Sequence, residues 1–342
     1  IMLLLLLCGA LAVAGIFLLR LTVFKQSRCK SDLAEGKTVL RLPGANTGIG
    51  KTTAMDLARR GAKVILACRD KRKAEVAIQE IIQETGNQQV IFMQLDLASL
   101  QSVRSFADNF LKSESRLDLL INNAGIISGG KTEDGFGMIL SVNHLGPFLL
   151  TLLLLDRLKA SGPSRVVNVS SIGHKQGRMD FNCLTTHKDL GLGSSYFQVH
   201  RKYCHSKLCN VLFTYELAKR LQGSDVTCYS LHPGAIMTEI FRDSSFWWTL
   251  LIKPVEFLFF KDAEAGAQTT LYCALEPGIE HLSGHYFDQC SLQTNIHPKA
   301  RDDATSKKLW ELSESFCGLW QDLSSGNREC LIRFHVNPSN SC

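Results

Sequence analysis

The chain alternates short apolar runs with longer stretches whose apolar residues recur at helical spacing. The short runs are Lys63 to Cys68, Gln89 to Leu95, Leu117 to Ile121, Arg165 to Val169 and Val226 to Leu231. One more opens the stretch from Gly36 to Gly50. Helical periodicity fills roughly 71–85 and 99–113, then a long apolar stretch ending near Lys159, and a segment from Ser195 to about Leu221. Short apolar strands alternating with amphipathic helices predict a parallel sheet covered on both faces, an α/β fold with a doubly wound sheet in a single domain. Ligands of such sheets bind beyond the carboxyl ends of the strands.

The polar and glycine-bearing residues gather at those ends. The first strand runs into Gly44-Ala45-Asn46-Thr47-Gly48-Ile49-Gly50, with a helix starting near Ile49. Glycines allow a tight turn and close backbone approach, and the helix start offers free N–H groups to a diphosphate. The spacing is G-x-x-x-G-x-G, not the dinucleotide fingerprint G-x-G-x-x-G. The second strand ends in Arg69, about 20 residues past the loop, where a carboxylate would select the ribose 2′-hydroxyl of NAD. Arginine suits a 2′-phosphate, so NADP (NADPH) is favoured over NAD. The basic run Lys71, Arg72, Lys73 reads as a solvated helix start. Asp96-Leu97 and Asn122-Asn123-Ala124-Gly125 close the next two strands, Ser170-Ser171 the fifth, and His232-Pro233-Gly234, with Thr238 just after, the sixth.

Tyr203 and Lys207 are four apart, which puts both on one helix face. A phenol is a poor base at neutral pH. An ammonium one turn away favours the phenolate by charge attraction, making the pair a candidate proton donor and acceptor for a carbonyl/alcohol couple. Asn143, inside an apolar helix, has low helical propensity and calls for a local partner.

Composition changes the picture little. The 342 residues are 45% hydrophobic and carry a net charge of +6, with basic residues dispersed and no nucleic-acid patch. The twelve cysteines show neither metal spacing nor a disulfide framework, and several sit in apolar runs; this reads as a reducing compartment. The N-terminal end matters more. Met2 to Leu19 is uncharged and apolar, Arg20 interrupts, Leu21 to Phe24 continues, and Lys25, Arg28 and Lys30 follow. That predicts a membrane anchor over 1–24 and a basic juxtamembrane linker over 25–35, with the body facing the cytosol. Ala12-Val13-Ala14 leaves a cleaved signal peptide as the alternative. Cys29 stands just past the span, as a plain thiol or an acylation site. The domain itself is expected over 36–317, followed by a polar tail over 318–342.

Together these ordered motifs resemble the short-chain dehydrogenases/reductases of the retinol-dehydrogenase-like group. The resemblance covers roughly residues 36–315 and implies a Rossmann-like domain with a catalytic tetrad. Tyr203 would exchange a proton with the substrate oxygen. Lys207 would lower the Tyr203 pKa and hold the nicotinamide ribose, and Ser171, preferred over Ser170, would polarise the carbonyl. Asn143 would support a water relay. Cofactor contacts would come from Gly44, Asn46, Thr47, Gly48, Ile49, Gly50, Arg69, Asp96, Leu97, Asn123, Ala124, Gly125, Tyr203, Lys207, Pro233, Gly234 and Thr238. A homodimer through the helices near 132–160 and 195–221, and an endoplasmic-reticulum location, are implied in the same way.

Three departures from the group stand out. The strand entry reads Leu40-Arg41-Leu42-Pro43-Gly44, one residue longer, and puts an arginine in a central buried strand where an unpaired charge is costly. The stretch from Ser171 to Tyr203 is longer, with Thr185-Thr186-His187 and Gly191-Leu192-Gly193. His205, between Tyr203 and Lys207, reads as structural. Ile240 to Lys261 is rich in Phe, Trp and Leu and reads as a lid for a lipophilic substrate or as core packing. The expectation is an NADP-dependent oxidoreductase of a lipophilic carbonyl and its alcohol, retinal/retinol first. The alternatives are steroids or lipid aldehydes as substrate, or a non-catalytic cofactor-binding or interaction protein.

Overall fold

The computed structural model describes residues 29, 34–42, 48–181, 184, 195–234 and 263–319. The apolar N-terminal run, residues 43–47, the stretch from Thr185 to Gly193, Thr238, the aromatic run 240–261 and the tail beyond Leu319 lie outside these residues.

Eight strands form one sheet in the order β3-β2-β1-β4-β5-β6-β7-β8. They are β1 (Thr38–Arg41), β2 (Lys63–Cys68), β3 (Val90–Gln94), β4 (Leu119–Asn122), β5 (Ser164–Val169), β6 (Val226–His232), β7 (Tyr286–Asp288) and β8 (Ser291–Leu292). Every pairing from β3 to β7 is parallel, and β8 turns back antiparallel. The expected parallel sheet is therefore present, with an antiparallel edge. The last two strands were missed because they are too short to show a run. β1 lies between β2 and β4, so the strand order reverses direction there.

Helices cover both faces. One side carries α1 (Gly48–Arg59), α2 (Lys71–Thr85) and α7 (Ala263–Leu275). The other carries α3 (Leu100–Ser113), α4 (Gly146–Leu153), α5 (Leu155–Ser161), α6 (Tyr196–Arg220) and α8 (Asp303–Phe316). Strand alternation divides the core between them. Leu40, Leu42, Ile65 and Leu120 pack with Phe106, Phe148 and Leu212. Val39, Leu66, Leu119 and Ile121 pack with Ala54, Leu57 and Leu271. Local signals set the helix ends. Asp70 caps α2 by accepting from Lys73 N, and Gly86 closes it at φ +74°. Ser99 caps α3, and Asp302 caps α8.

The long apolar helix expected to end near Lys159 is broken. A helical turn at Met138–Leu140 widens into a π-helical segment, Ser141–Leu145, before α4, and α4 meets α5 at a 54° bend. Pro147 explains the widening. It cannot donate to the carbonyl of Asn143, and its ring would press on that carbonyl in a regular helix. Gly146 N instead reaches back to Ser141 O. Gly146 is also required here, because a Cβ would sit 2.6 Å from Leu97 O. Among the described residues, no single helix is long and apolar enough to cross a membrane.

α8 closes the domain. Trp310 packs on Phe148 and Phe213, with ring centroids 5.1 and 5.8 Å away, and Ser313 Oγ lies 2.9 Å from His144 Nε2. Part of the surface of the two helix regions expected to pair across a dimer is thus covered by the chain itself. Upstream, Cys29 is buried and its N–H donates to Gln268 Oε1 of α7. The thiol read as a possible acylation site is packed against the domain.

Candidate active site

α6 presents Tyr203, Ser206, Lys207 and Asn210 at spacings of three and four toward the carboxyl end of β5. Lys207 is buried, and its Nζ donates to Ala124 O at 3.2 Å and Val169 O at 3.0 Å. Two of its three N–H groups are thereby used. Ser170 Oγ donates to Lys207 O at 2.7 Å, clamping strand to helix. Gly125 matters at this point: a Cβ there would stand 3.1 Å from the ammonium.

The two serines have separate work. Ser170 is buried and bound to the α6 backbone, while Ser171 is half-buried and starts the 3₁₀ turn Ile172–Gln176. Ser171 Oγ accepts from Gly173 N at 3.1 Å and faces the Tyr203 hydroxyl, whose pKa it lowers. His174 braces this turn. Its Nδ1 lies 2.7 Å from Ser171 O, and its ring packs on Tyr286 with centroids 4.7 Å apart.

The electrostatics differ from the sequence expectation. Burial pushes the Tyr203 phenol above its ordinary value, and the Ser171 hydrogen bond pulls it down. Lys207 is not the group that lowers it. Burial drops Lys207 itself to about 7, and its ammonium sits 5.6 Å from the Tyr203 ring centroid, bonded to carbonyls instead of the phenol. A charge that is itself half lost at neutral pH is a weak lever on its neighbour.

Asn143 sits in the π segment, where such distortions often mark functional sites. Its Oδ1 accepts from Ile126 N at 2.8 Å, and its Nδ2 donates to Ile126 O at 3.1 Å and Ser206 Oγ at 3.0 Å. It ties the Asn-Asn-Ala-Gly turn to α6 between Tyr203 and Lys207. Oδ1 keeps one further lone pair. A neighbouring ladder escaped the sequence reading. Asn122 donates to Thr151 Oγ1 and Asn168 Oδ1, and Asn168 donates to Thr214 Oγ1, linking β4 and β5 to α4 and α6. Each residue is ordinary in sequence, so only their convergence reveals it. His205 Nδ1 lies against Arg178 O, which fits its structural reading.

The remaining positions line the carboxyl edge of the sheet. Gly48 opens α1 at φ +55°, followed by half-buried Ile49 and buried Gly50. The side chain of Arg69 is 62% exposed, its Nε 4.0 Å from Asp96 Oδ1. Asp96 also accepts from Ala98 N, while Leu97 and Ala124 are buried and Asn123 half-buried. Lys71 and Lys73 face Glu75 and Asp70 at 3.7 and 3.6 Å, as a solvated helix start should. Pro233 and Gly234, the latter at φ +99°, follow β6. Gly44, Asn46, Thr47 and Thr238 lie outside the described residues. These features fit a nicotinamide nucleotide: a helix N-terminus opened by glycine, an exposed cation at the β2 end, and a buried ammonium with one N–H to spare.

The comparisons agree with this layout. Residues 38–188 match the short chain dehydrogenase family model. The chain is 53% identical over 285 residues to bovine (Bos taurus) Dehydrogenase/reductase SDR family member 13, covering 83% of this chain and 74% of that one. The chain is a short-chain dehydrogenase/reductase. The same family includes mouse (Mus musculus) Retinol dehydrogenase 11, 50% identical over 85% of this chain and 90% of that one. Human (Homo sapiens) Retinol dehydrogenase 12 is 49% identical over 86% and 90%. Val90 to Met93 and Gly266 to Gly284 already resemble family member 13 in sequence. A solved structure of an uncharacterized protein from Mycobacterium Paratuberculosis superposes with a TM-score of 0.66 at 36% identity, covering 84% of this chain and 96% of that one. This dehydrogenase/reductase is thus an NAD(P)-dependent oxidoreductase acting on CH–OH groups, closely related to retinol dehydrogenases, and the non-catalytic alternative gives way.

Proposed function

We propose that this enzyme interconverts a lipophilic carbonyl compound and its alcohol with NADPH, retinal and retinol being the first candidate pair. The observation that carries the reaction is the Ser171–Tyr203 hydroxyl pair at the end of β5, with buried Lys207 one helical turn behind. The names of the retinol dehydrogenases support the substrate class. Arg69 supports the cofactor. It is exposed at the β2 end with one carboxylate at 4.0 Å, free to swing onto a 2′-phosphate.

Bound NADPH supplies the hydride. Ser171 and Tyr203 donate hydrogen bonds to the carbonyl oxygen and polarise it. Tyr203 is protonated at neutral pH because burial raises its pKa, so it acts as the acid in the reducing direction and delivers its proton to that oxygen. The phenolate left behind is stabilised by the Ser171 hydroxyl. Lys207, poised at about 7, exchanges its own proton near neutrality. Its third N–H would hold the cofactor ribose. Asn143 fixes the turn and helix that carry these groups, and its remaining lone pair holds the relay water. Gly44, Asn46, Thr47, Gly48, Ile49, Gly50, Asp96, Leu97, Asn123, Ala124, Gly125, Pro233, Gly234 and Thr238 complete the cofactor contacts.

The composition of 1–24 supports a membrane anchor, with 25–35 as basic linker, 36–317 as the catalytic domain on the cytosolic face of the endoplasmic reticulum, and 318–342 as a polar tail. The apolar run 240–261 supports a lid for a substrate taken from the bilayer. The test is NADPH oxidation by the full chain in lipid vesicles offered retinal, a steroid ketone or a fatty aldehyde. Retinal-dependent oxidation is expected. Preference for a steroid or fatty aldehyde replaces the substrate, and no substrate-dependent oxidation across the panel contradicts the reading.

A further inference from the structure

Four cations converge beside the Ser171–Tyr203 site. Lys175 and Arg178 lie on and just after the 3₁₀ turn that Ser171 starts, Arg201 on the first turns of α6, and Lys299 on a second 3₁₀ turn, Pro298–Arg301. Hydrogen bonds hold these segments together. Lys299 Nζ donates to Lys175 O at 2.6 Å, and His205, one helical turn past Arg201, sets its Nδ1 against Arg178 O. Lys175, Arg178 and Arg201 are exposed, and Lys299 is half-buried. Among the described residues none of the four forms an ion pair, and Asp180 beside Arg178 and Asp302 beside Arg301 leave them so. Basic residues elsewhere are matched: Lys63 by Glu114, Lys71 by Glu75, Arg116 by Asp118 and Arg165 by Glu280. The surplus is felt nearby. Burial lowers the His205 pKa, its bond to Arg178 O raises it, and the charges of Arg201, Arg178 and Lys299 lower it again. Apolar side chains surface in the same place. The large hydrophobic residues exposed among the described ones are Val76, Ile172 and Phe197, at 59, 54 and 79%. Ile172 adjoins Ser171, and Phe197 stands one turn before Arg201 on the same face of α6. The basic linker ends close by in the fold. Cys29 N and Cys290 N donate to Gln268 Oε1 and Thr269 Oγ1, adjacent residues of α7, and the β7–β8 hairpin that bears Cys290 leads on to Pro298.

We propose that this face docks on an anionic lipid bilayer, with Lys175, Arg178, Arg201 and Lys299 against headgroup anions and Ile172 and Phe197 in the interfacial layer. Unpaired cations around exposed apolar side chains are what such a surface takes up. An acidic protein face would match the cations and leave the apolar pair without a purpose. Each basic residue near an anionic membrane strengthens association roughly fivefold, so four supply about several hundredfold. Salt screens the attraction. The inference deepens the proposed function and rests on its reading of a substrate taken from the bilayer: it turns Ser171 and Tyr203 toward the lipid that holds that substrate.

Amide hydrogen exchange of the full chain tests it, in vesicles of phosphatidylcholine alone or mixed with phosphatidylserine. The chains compared are the wild type and the triple variant Lys175→Glu, Arg178→Glu, Arg201→Glu. The three side chains are exposed, so the variant is expected to keep the wild-type circular dichroism. Phosphatidylserine is expected to slow wild-type exchange over 172–178 and 196–201 about fivefold or more, and added salt to reverse it. The variant should lose the protection. Exchange over 71–85, where Lys71 and Lys73 already face carboxylates, should be the same in both lipids. Equal exchange of the face in the two lipids overturns the proposal, as does protection that survives salt or the triple variant. Protection by polyglutamate and not by phosphatidylserine overturns it in favour of an acidic protein. Salt-sensitive protection by phosphatidylserine, in a chain that oxidises NADPH with none of retinal, a steroid ketone or a fatty aldehyde, keeps the lipid surface and removes the substrate reading.

Discussion

Lys207 and Arg41 are both cations in the interior, and they are held in opposite ways. Burial lowers each, Lys207 to about 7 and Arg41 to about 9. Lys207 has two backbone carbonyls on its ammonium and a serine clamp on its own carbonyl. Arg41 has no hydrogen-bond partner among the described residues. The first is a cation that the fold gives hydrogen-bond partners but still discharges by burial, leaving it near its titration point, where proton exchange is easiest. The second keeps its charge at neutral pH and leaves the cost standing. Burial alone therefore does not mark a working group. The hydrogen-bond partners around it separate the two.

The contrast breaks first at Tyr203. Tyr203→Phe removes the proton carrier beside Lys207 without touching the clamp, and turnover is expected to fall by about 10²–10⁴-fold with folding intact. Steady-state rates and circular dichroism check both halves. The two serines come next. Ser171→Ala is expected to lower kcat by about 10²–10³-fold through loss of a donor to the carbonyl oxygen. Ser170→Ala should instead cost stability, about 0.5–1.5 kcal/mol for the lost hydrogen bond to Lys207 O, with a much smaller effect on rate. If the two variants exchange phenotypes, the assignment of Ser171 is wrong. Arg69→Glu is expected to weaken NADPH about ten- to hundredfold and leave NADH nearly unchanged, measured as the ratio of kcat/KM values.

The most gradual effect is the pH dependence of stability. The folded Lys207 value of about 7 lies below the ordinary lysine value, so above neutrality the unfolded chain binds a proton that the native chain does not. Stability from this group rises with pH between about 7 and the ordinary lysine range, by at most about 1.4 kcal/mol per unit. The full burden is present below that window. Lys207→Met should flatten the slope in denaturant titrations run across it.

Much of this was legible in the chain. Lys63 to Cys68 and Lys71 to Thr85 read as strand and helix because their patterns are long and undiluted. The motifs at the strand ends also fell where a parallel sheet needs them. Arg41 could be placed in a buried strand from its neighbours alone. What pattern could not show was geometry that depends on distant partners. The π segment at Ser141–Leu145 follows from Pro147 and from the approach of Leu97 to Gly146, neither visible as periodicity. The idea that Lys207 lowers the Tyr203 pKa considered their spacing and not the burial that discharges the lysine. β7 and β8 were too short to register, and the Asn122–Asn168 ladder is a convergence of unremarkable residues.

The most direct test of the account is a fluorescence titration of the full chain in detergent with NADPH and NADH. Tight NADPH binding with much weaker NADH binding is the predicted result, and it supports an enzyme whose cofactor is chosen at Arg69. Equal affinity for the two nucleotides, or binding of neither, contradicts it.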